Sequence, residues 1–126
     1  VGHPDRFELY RWLSFLSGTV HPHFWPFFAP ARYIALEQHF DAVKHAASQR
    51  VYGDWDVIDA HLSRRDWLVG QSPTVADALL LPMARWGALL ERPTRNWSNI
   101  QSHLARVSEW RPAAAALAAQ GLKAPT

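Results

Sequence analysis

Two imidazoles stand one residue apart in His21-Pro22-His23. Histidine titrates near neutral pH, so it can shuttle a proton, orient a polar group or ligate a metal. A metal site needs at least a third protein ligand, and no spacing in this chain marks one. With no cysteine present, thiolate metal sites and a cysteine nucleophile are excluded within the chain. His21 therefore reads either as a surface or capping residue or as one that lines a pocket. Thr74 and Asp77 stand three residues apart before an apolar run, which is the spacing of a reciprocal helix-capping box. Asp77 is accordingly read as structural rather than as a catalytic acid. Phe24, Trp25, Phe27 and Phe28 form a dense aromatic run, read as core or interface packing before ligand binding. Arg64-Arg65-Asp66 reads as a solvated helix end, favourable against the helix dipole.

Helices must position these groups. Leu9, Leu13, Leu16 and Val20 mark one face of a helix from about Arg6 to Val20. The segment His21 to Pro30 holds three prolines and is expected to lie outside regular helix. From Leu36 to Leu62 apolar residues recur every three or four positions. A straight helix over Ala31 to Arg65 would measure roughly 50 Å. The radius of gyration expected for this length is only about 14 Å. The helix length thus predicts a bend or break near Gly53, the weakest helix former in the run. A third helix, Val75 to Leu90, is apolar nearly all round and should be central and buried. Trp97, Ile100, Leu104 and Val107 mark a fourth helix. Pro112 suits the start of a last helix and Gly121 its end. These elements predict an all-α fold, an orthogonal bundle of five to six helices, with residues 1–126 as a single domain.

Composition narrows the function. The chain has 126 residues, 48% of them apolar and 19% charged, as in ordinary globular proteins. Net charge is only +2, and its 13 Lys and Arg residues are dispersed, which argues against a nucleic-acid surface. Val75 to Leu90 is too short and too often interrupted to cross a bilayer, so no membrane partner is expected. No signal-peptide pattern opens the chain, and a cytoplasmic location is expected. A first residue of Val rather than Met reads as a processed or truncated piece. Seven tryptophans predict an aromatic-rich core in which each indole N–H needs a partner.

The order of several motifs carries a resemblance. Trp67-Leu68-Val69-Gly70, followed by Thr74-Val75-Ala76-Asp77 and the apolar helix, resembles the signature of the C-terminal helical domain of glutathione transferases. Trp12-Leu13-Ser14-Phe15-Leu16, with His21-Pro22-His23-Phe24-Trp25-Pro26-Phe27-Phe28 after it, is similar to the bacterial beta class. The resemblance covers most of the chain and is weakest over Ala31 to Gln49. It implies that His21 points at the glutathione site and that Arg85 and Trp86 form a pocket-side pair. Ser14 stands where the family often has an Asn that reaches the neighbouring subunit's glutathione. Pro22 replaces a usual Lys, and Leu79 a common Tyr.

The resemblance also implies what lies outside this sequence. In the family, an N-terminal thioredoxin-like domain binds glutathione and carries the residue that manages its thiol. The helical domain supplies a wall of the pocket for a hydrophobic electrophile. The expected role is therefore that of a substrate-pocket domain in a glutathione S-transferase-like homodimer. Glutathione would be the co-substrate, no metal would be needed, and this chain alone would be a poor enzyme. A helical module for protein interaction or hydrophobic-ligand binding on the same fold is the alternative. Exposure of Trp12, Phe15 and the Phe24–Phe28 segment would favour the first reading.

Overall fold

A computed structural model describes residues 4–123. The opening Val1 lies outside them. Six α-helices make up the described chain: α1 Arg6–Phe15, α2 His21–Phe28, α3 Phe40–Leu62, α4 Val75–Gly87, α5 Ser98–Glu109 and α6 Arg111–Ala119. No strand occurs among the described residues. The expected all-α bundle is therefore found.

The proline-rich segment departs from expectation. His21–Phe28 is helical, although Pro22 and Pro26 both lie in it. A π-helical turn, Leu16–Val20, joins α1 to α2, so helical backbone runs from Arg6 to Phe28. Pro22 falls in the first turn of α2, where a missing N–H is least harmful. Pro26 removes one internal bond, and burial of Phe24 against α3 and α4 offsets that loss. Only at Ala29 does the backbone leave the helix, with φ −136°.

No break occurs at Gly53. The helix α3 continues for 23 residues through it. The long run is shortened at its other end, where the chain forms short 3₁₀ turns at Pro30–Arg32 and Glu37–His39. Glycine in a helix costs only about 1 kcal/mol. Around it Val51, Tyr52, Asp54, Trp55 and Ile58 are all buried, so tertiary packing outweighs the local preference.

Helix α4 is central on one side only. Ala76, Asp77, Leu80, Leu81, Met83, Ala84 and Gly87 are buried. Val75, however, is 56% exposed, and Leu89, expected in the helix but lying beyond its end at Gly87, is 66% exposed, so the expectation of burial all round is corrected. The apolar outer side of α4 faces a groove rather than the core. Gly87 explains how closely α4 approaches its neighbours. A Cβ there would lie 2.1 Å from the Thr94 hydroxyl oxygen and 3.1 Å from the Trp55 ring.

Helix α5 buries Ile100, Leu104 and Val107, as its spacing predicts, and His103 besides; Trp97, expected within the helix, is its N-cap and is also buried. Helix α6 ends as its sequence suggests. Gly121 adopts φ +64°, the Gly121 N–H donates to Ala118 O at 3.0 Å, and the Leu122 N–H donates to Leu117 O at 2.9 Å. That pair of bonds is the Schellman stop. The indoles of Trp12 and Trp97 donate to Glu8 and Asp56 at 3.2 and 2.7 Å. Trp55, fully buried, finds no acceptor for its N–H among the described residues.

Candidate functional site

One face of α2 builds a pocket. His21, Phe24, Trp25 and Phe28 follow the i, i+3, i+4, i+7 pattern that places side chains on one helical stripe. Together with Trp86 of α4 they line a cavity of about 380 Å³. The His21 ring lies 5.4 Å from Trp86 and 5.7 Å from Trp25, between centroids. Phe24 forms the floor, meeting Trp86 edge-on at 5.6 Å and Trp55 at 6.0 Å. Phe28 stacks on Phe24 at 5.9 Å. Trp25 and Phe28 are 41% and 46% exposed and make the rim. Outside that rim the Arg32 guanidinium lies 5.5 Å from the Trp25 ring centre.

Such a cavity favours a planar, apolar guest. Aromatic rings offer edge and face contacts worth about 0.5–1.5 kcal/mol per pair beyond burial. Its polar lining consists of one imidazole and two indole N–H groups. That set can orient or protonate a single group. It offers no cluster of cations for a ligand with two carboxylates.

The sequence candidates separate in space. His21 and Trp86 meet. Arg85 is next to Trp86 in sequence but about 100° further round the helix. Its guanidinium donates to the Lys123 carbonyl and lines a different groove of about 400 Å³, between α4 and α6, with Val75, Pro82, Trp110 and Leu122. Ser14 is exposed on α1 and does not line the His21 cavity. Trp12 and Phe24 belong to the core, so the exposed aromatic strip reduces to Trp25 and Phe28 in that segment, with Phe15 half-buried. His23 turns away from His21. Its Nδ1 lies 2.7 Å from Asp54 Oδ2 on α3. Burial pushes the Asp54 carboxyl up, and the His23 hydrogen bond only partly opposes this. No three His, Cys, Asp or Glu side chains are grouped to hold a metal among the described residues.

Thr74 and Asp77 form the capping box. The Thr74 hydroxyl oxygen accepts from the Ala76 N–H at 3.2 Å, and Asp77 Oδ2 accepts from the Thr74 N–H at 2.7 Å. Asp77 does more than cap. Its Oδ1 also accepts from the Leu68 N–H at 2.9 Å and lies 2.7 Å from His103 Nε2. Burial acts to raise the Asp77 pKa, but the bonds from His103, Leu68 and Thr74 together outweigh it and hold the carboxyl below its ordinary value. His103 was not a sequence candidate. It sits 26 residues from Asp77, and only its place on the buried stripe of α5 hinted at a role.

Known proteins share this fold. The family described as glutathione S-transferase, C-terminal domain, matches residues 15–110. Glutathione S-transferase GST-4.5 of Xanthomonas campestris is 30% identical over 118 residues, covering 94% of this chain and 58% of the relative. Among solved structures, the glutathione-S-transferase from Xylella fastidiosa superposes with a TM-score of 0.85 at 28% identity, covering 94% of this chain and 57% of that one. A sphingomonad glutathione S-transferase complexed with glutathione superposes with a TM-score of 0.81 at 30% identity, covering 97% and 57%. The chain thus spans under three fifths of the length of these relatives.

Proposed function

This chain belongs to the glutathione S-transferase C-terminal domain family, and from that premise we propose that its 126 residues act as a single helical domain walling the electrophile pocket of a glutathione transferase. The observation that carries the reading is the cavity in which His21 and Trp86 meet over an aromatic floor. Attack by a thiolate needs the electrophile held close and oriented. The stacked rings of α2 and α4 supply that restraint for a hydrophobic, planar co-substrate. His21 is placed to orient or protonate a group at the cavity wall.

Glutathione itself needs more than this wall. Its two carboxylates call for cations or converging N–H donors. The lining offers neither, so we assign their capture, and lowering of the thiol pKa, to a partner thioredoxin-like domain. Of the aromatic strip whose exposure would mark a covered face, Trp12 and Phe24 are buried, and the exposed rim of Trp25 and Phe28 is the part that supports cover by a partner domain. Homodimerisation and a cytoplasmic location belong to the same proposal. No helix of the described chain is long and apolar enough to cross a membrane. Ser14 and Arg85, outside the His21 cavity, are assigned no contact with the electrophile.

The test uses the two-domain form and an electron-poor aryl halide. Trp86→Ala should raise KM by about tenfold, the equivalent of ~1.4 kcal/mol of binding. His21→Ala should lower kcat/KM. Unchanged kinetics in both variants would reject the pocket assignment.

A further inference from the structure

Helix α2 carries two histidines on opposite sides. Residues two apart in a helix are separated by about 200°. His21 thus faces Trp86 on α4, while His23 faces Asp54 on α3. From this geometry we infer that the His23–Asp54 hydrogen bond is a latch that fixes the rotation of α2 and so sets His21 against Trp86. His23 and Asp54 are positioning residues in this account. The inference deepens the pocket reading and rests on it for its functional meaning.

Why α2 needs a latch follows from its backbone. The helix has only eight residues, and two of them are prolines without an N–H. A π-helical turn precedes it, and its last residue is followed by non-helical Ala29. Its backbone is continuous with α1 through that turn, and tertiary contacts on α3 and α4 add to what the turn fixes. The adjacent pair His23 and Phe24 docks on the adjacent pair Asp54 and Trp55. Of these two contacts, the Phe24–Trp55 packing at 6.0 Å is apolar and tolerates sliding. The 2.7 Å bond between a ring nitrogen and a carboxylate is directional. A slip of one residue would turn α2 by about 100°. That would break the bond and carry His21 away from Trp86.

The burial of Asp54 supports the same conclusion. Its side chain is only 9% exposed, and its burial raises its pKa, a sign that desolvation opposes the charge. A buried ionic group adds little net stability over an apolar pair of similar size. Its best-attested use is to specify one register over its neighbours. An apolar side chain at position 54 would leave the rotation of α2 to the packing of Phe24 and Phe28 alone, without a directional bond.

The experiment reads the placement of His21 directly. Ring currents from Trp86 and Trp25 displace the His21 imidazole proton resonances. In His23→Ala these should move towards exposed-histidine positions. Trp fluorescence quenching by 1,3-dinitrobenzene, a planar arene without a leaving group, should show affinity falling by about threefold or more, on a scale where tenfold is 1.4 kcal/mol. His23→Asn puts an amide N–H near the position of the lost Nδ1 and should restore both readouts. Should His23→Ala not fold, the paired change His23→Leu with Asp54→Leu keeps the burial and removes the directional bond. The His21 resonances should then still move. His21 signals that stay in place in a folded His23→Ala or in the paired variant would overturn the latch. A failure of the unmutated chain to be quenched by dinitrobenzene would count against the aromatic pocket instead, because the His21 resonances report the latch without any ligand.

Discussion

At the scale of single residues, Asp77 is the group on which most depends. It is a fully buried carboxylate that receives donors from Leu68, Thr74 and His103. Removing one charged or polar partner from such a group leaves the other uncompensated, and the penalty is about 2–4 kcal/mol. His103→Ala should therefore lower the denaturant midpoint markedly, with no change in the slope of the transition. The pH dependence has a definite sign. Asp77 has a folded pKa below its unfolded value of about 3.9. Its contribution is therefore present above pH ~4 and is lost as pH falls through the folded value. Asp54, with its carboxyl pushed up, acts in the opposite sense across the region above pH ~4. In acid titrations followed by circular dichroism, Asp77→Asn should flatten the low-pH loss of stability. The Thr74–Asp77 box was legible because both partners lie within one turn. His103 was not, because no local rule links residues 26 positions apart. The His21–Trp86 meeting was readable only through resemblance to a family, since the two rings lie on different helices.

At the scale of elements, two glycines make opposite predictions. Gly53 lies inside α3 and is exposed, and a Cβ there would meet nothing within 4 Å. Gly53→Ala should stabilise the protein by about 0.5–1 kcal/mol, seen as a higher melting temperature. Gly87 lies where α4 presses on Thr94 and Trp55. Gly87→Ala should destabilise by about 1–3 kcal/mol through overpacking and disturb the bond from the Thr94 hydroxyl to Ala84 O. The same melting experiment checks both. Sequence periodicity located most helices because their buried stripes repeat every three or four residues. The expectations of non-helical chain at His21–Phe28 and of a break at Gly53 failed for one reason. Proline and glycine preferences are local and amount to a few kcal/mol at most. The packing of Phe24 against Trp55 and Trp86, and of Val51, Tyr52 and Trp55 around Gly53, is set by distant parts of the chain.

At the scale of the whole molecule, the aromatic core and the aromatic rim are one structure. Phe24 touches Trp55 in the interior and Trp86 at the cavity. A covering domain should protect Trp25 at the rim while leaving already buried Trp55 unchanged. Acrylamide quenching of single-tryptophan variants should therefore fall at Trp25, and not at Trp55, when the two-domain form replaces this chain. Equal quenching of Trp25 in both forms would argue that nothing covers the rim. The Asp77 junction has a separate bearing on how the bundle comes apart. It ties the Leu68 segment, the start of α4 and the middle of α5 at one buried carboxylate. Peeling away any one of the three strips a buried charge of a donor, so local opening there carries a penalty of its own. Unfolding is thereby made cooperative around that point. The Leu68 amide, outside any α-helix, should exchange its hydrogen with solvent as slowly as amides in the middle of α4.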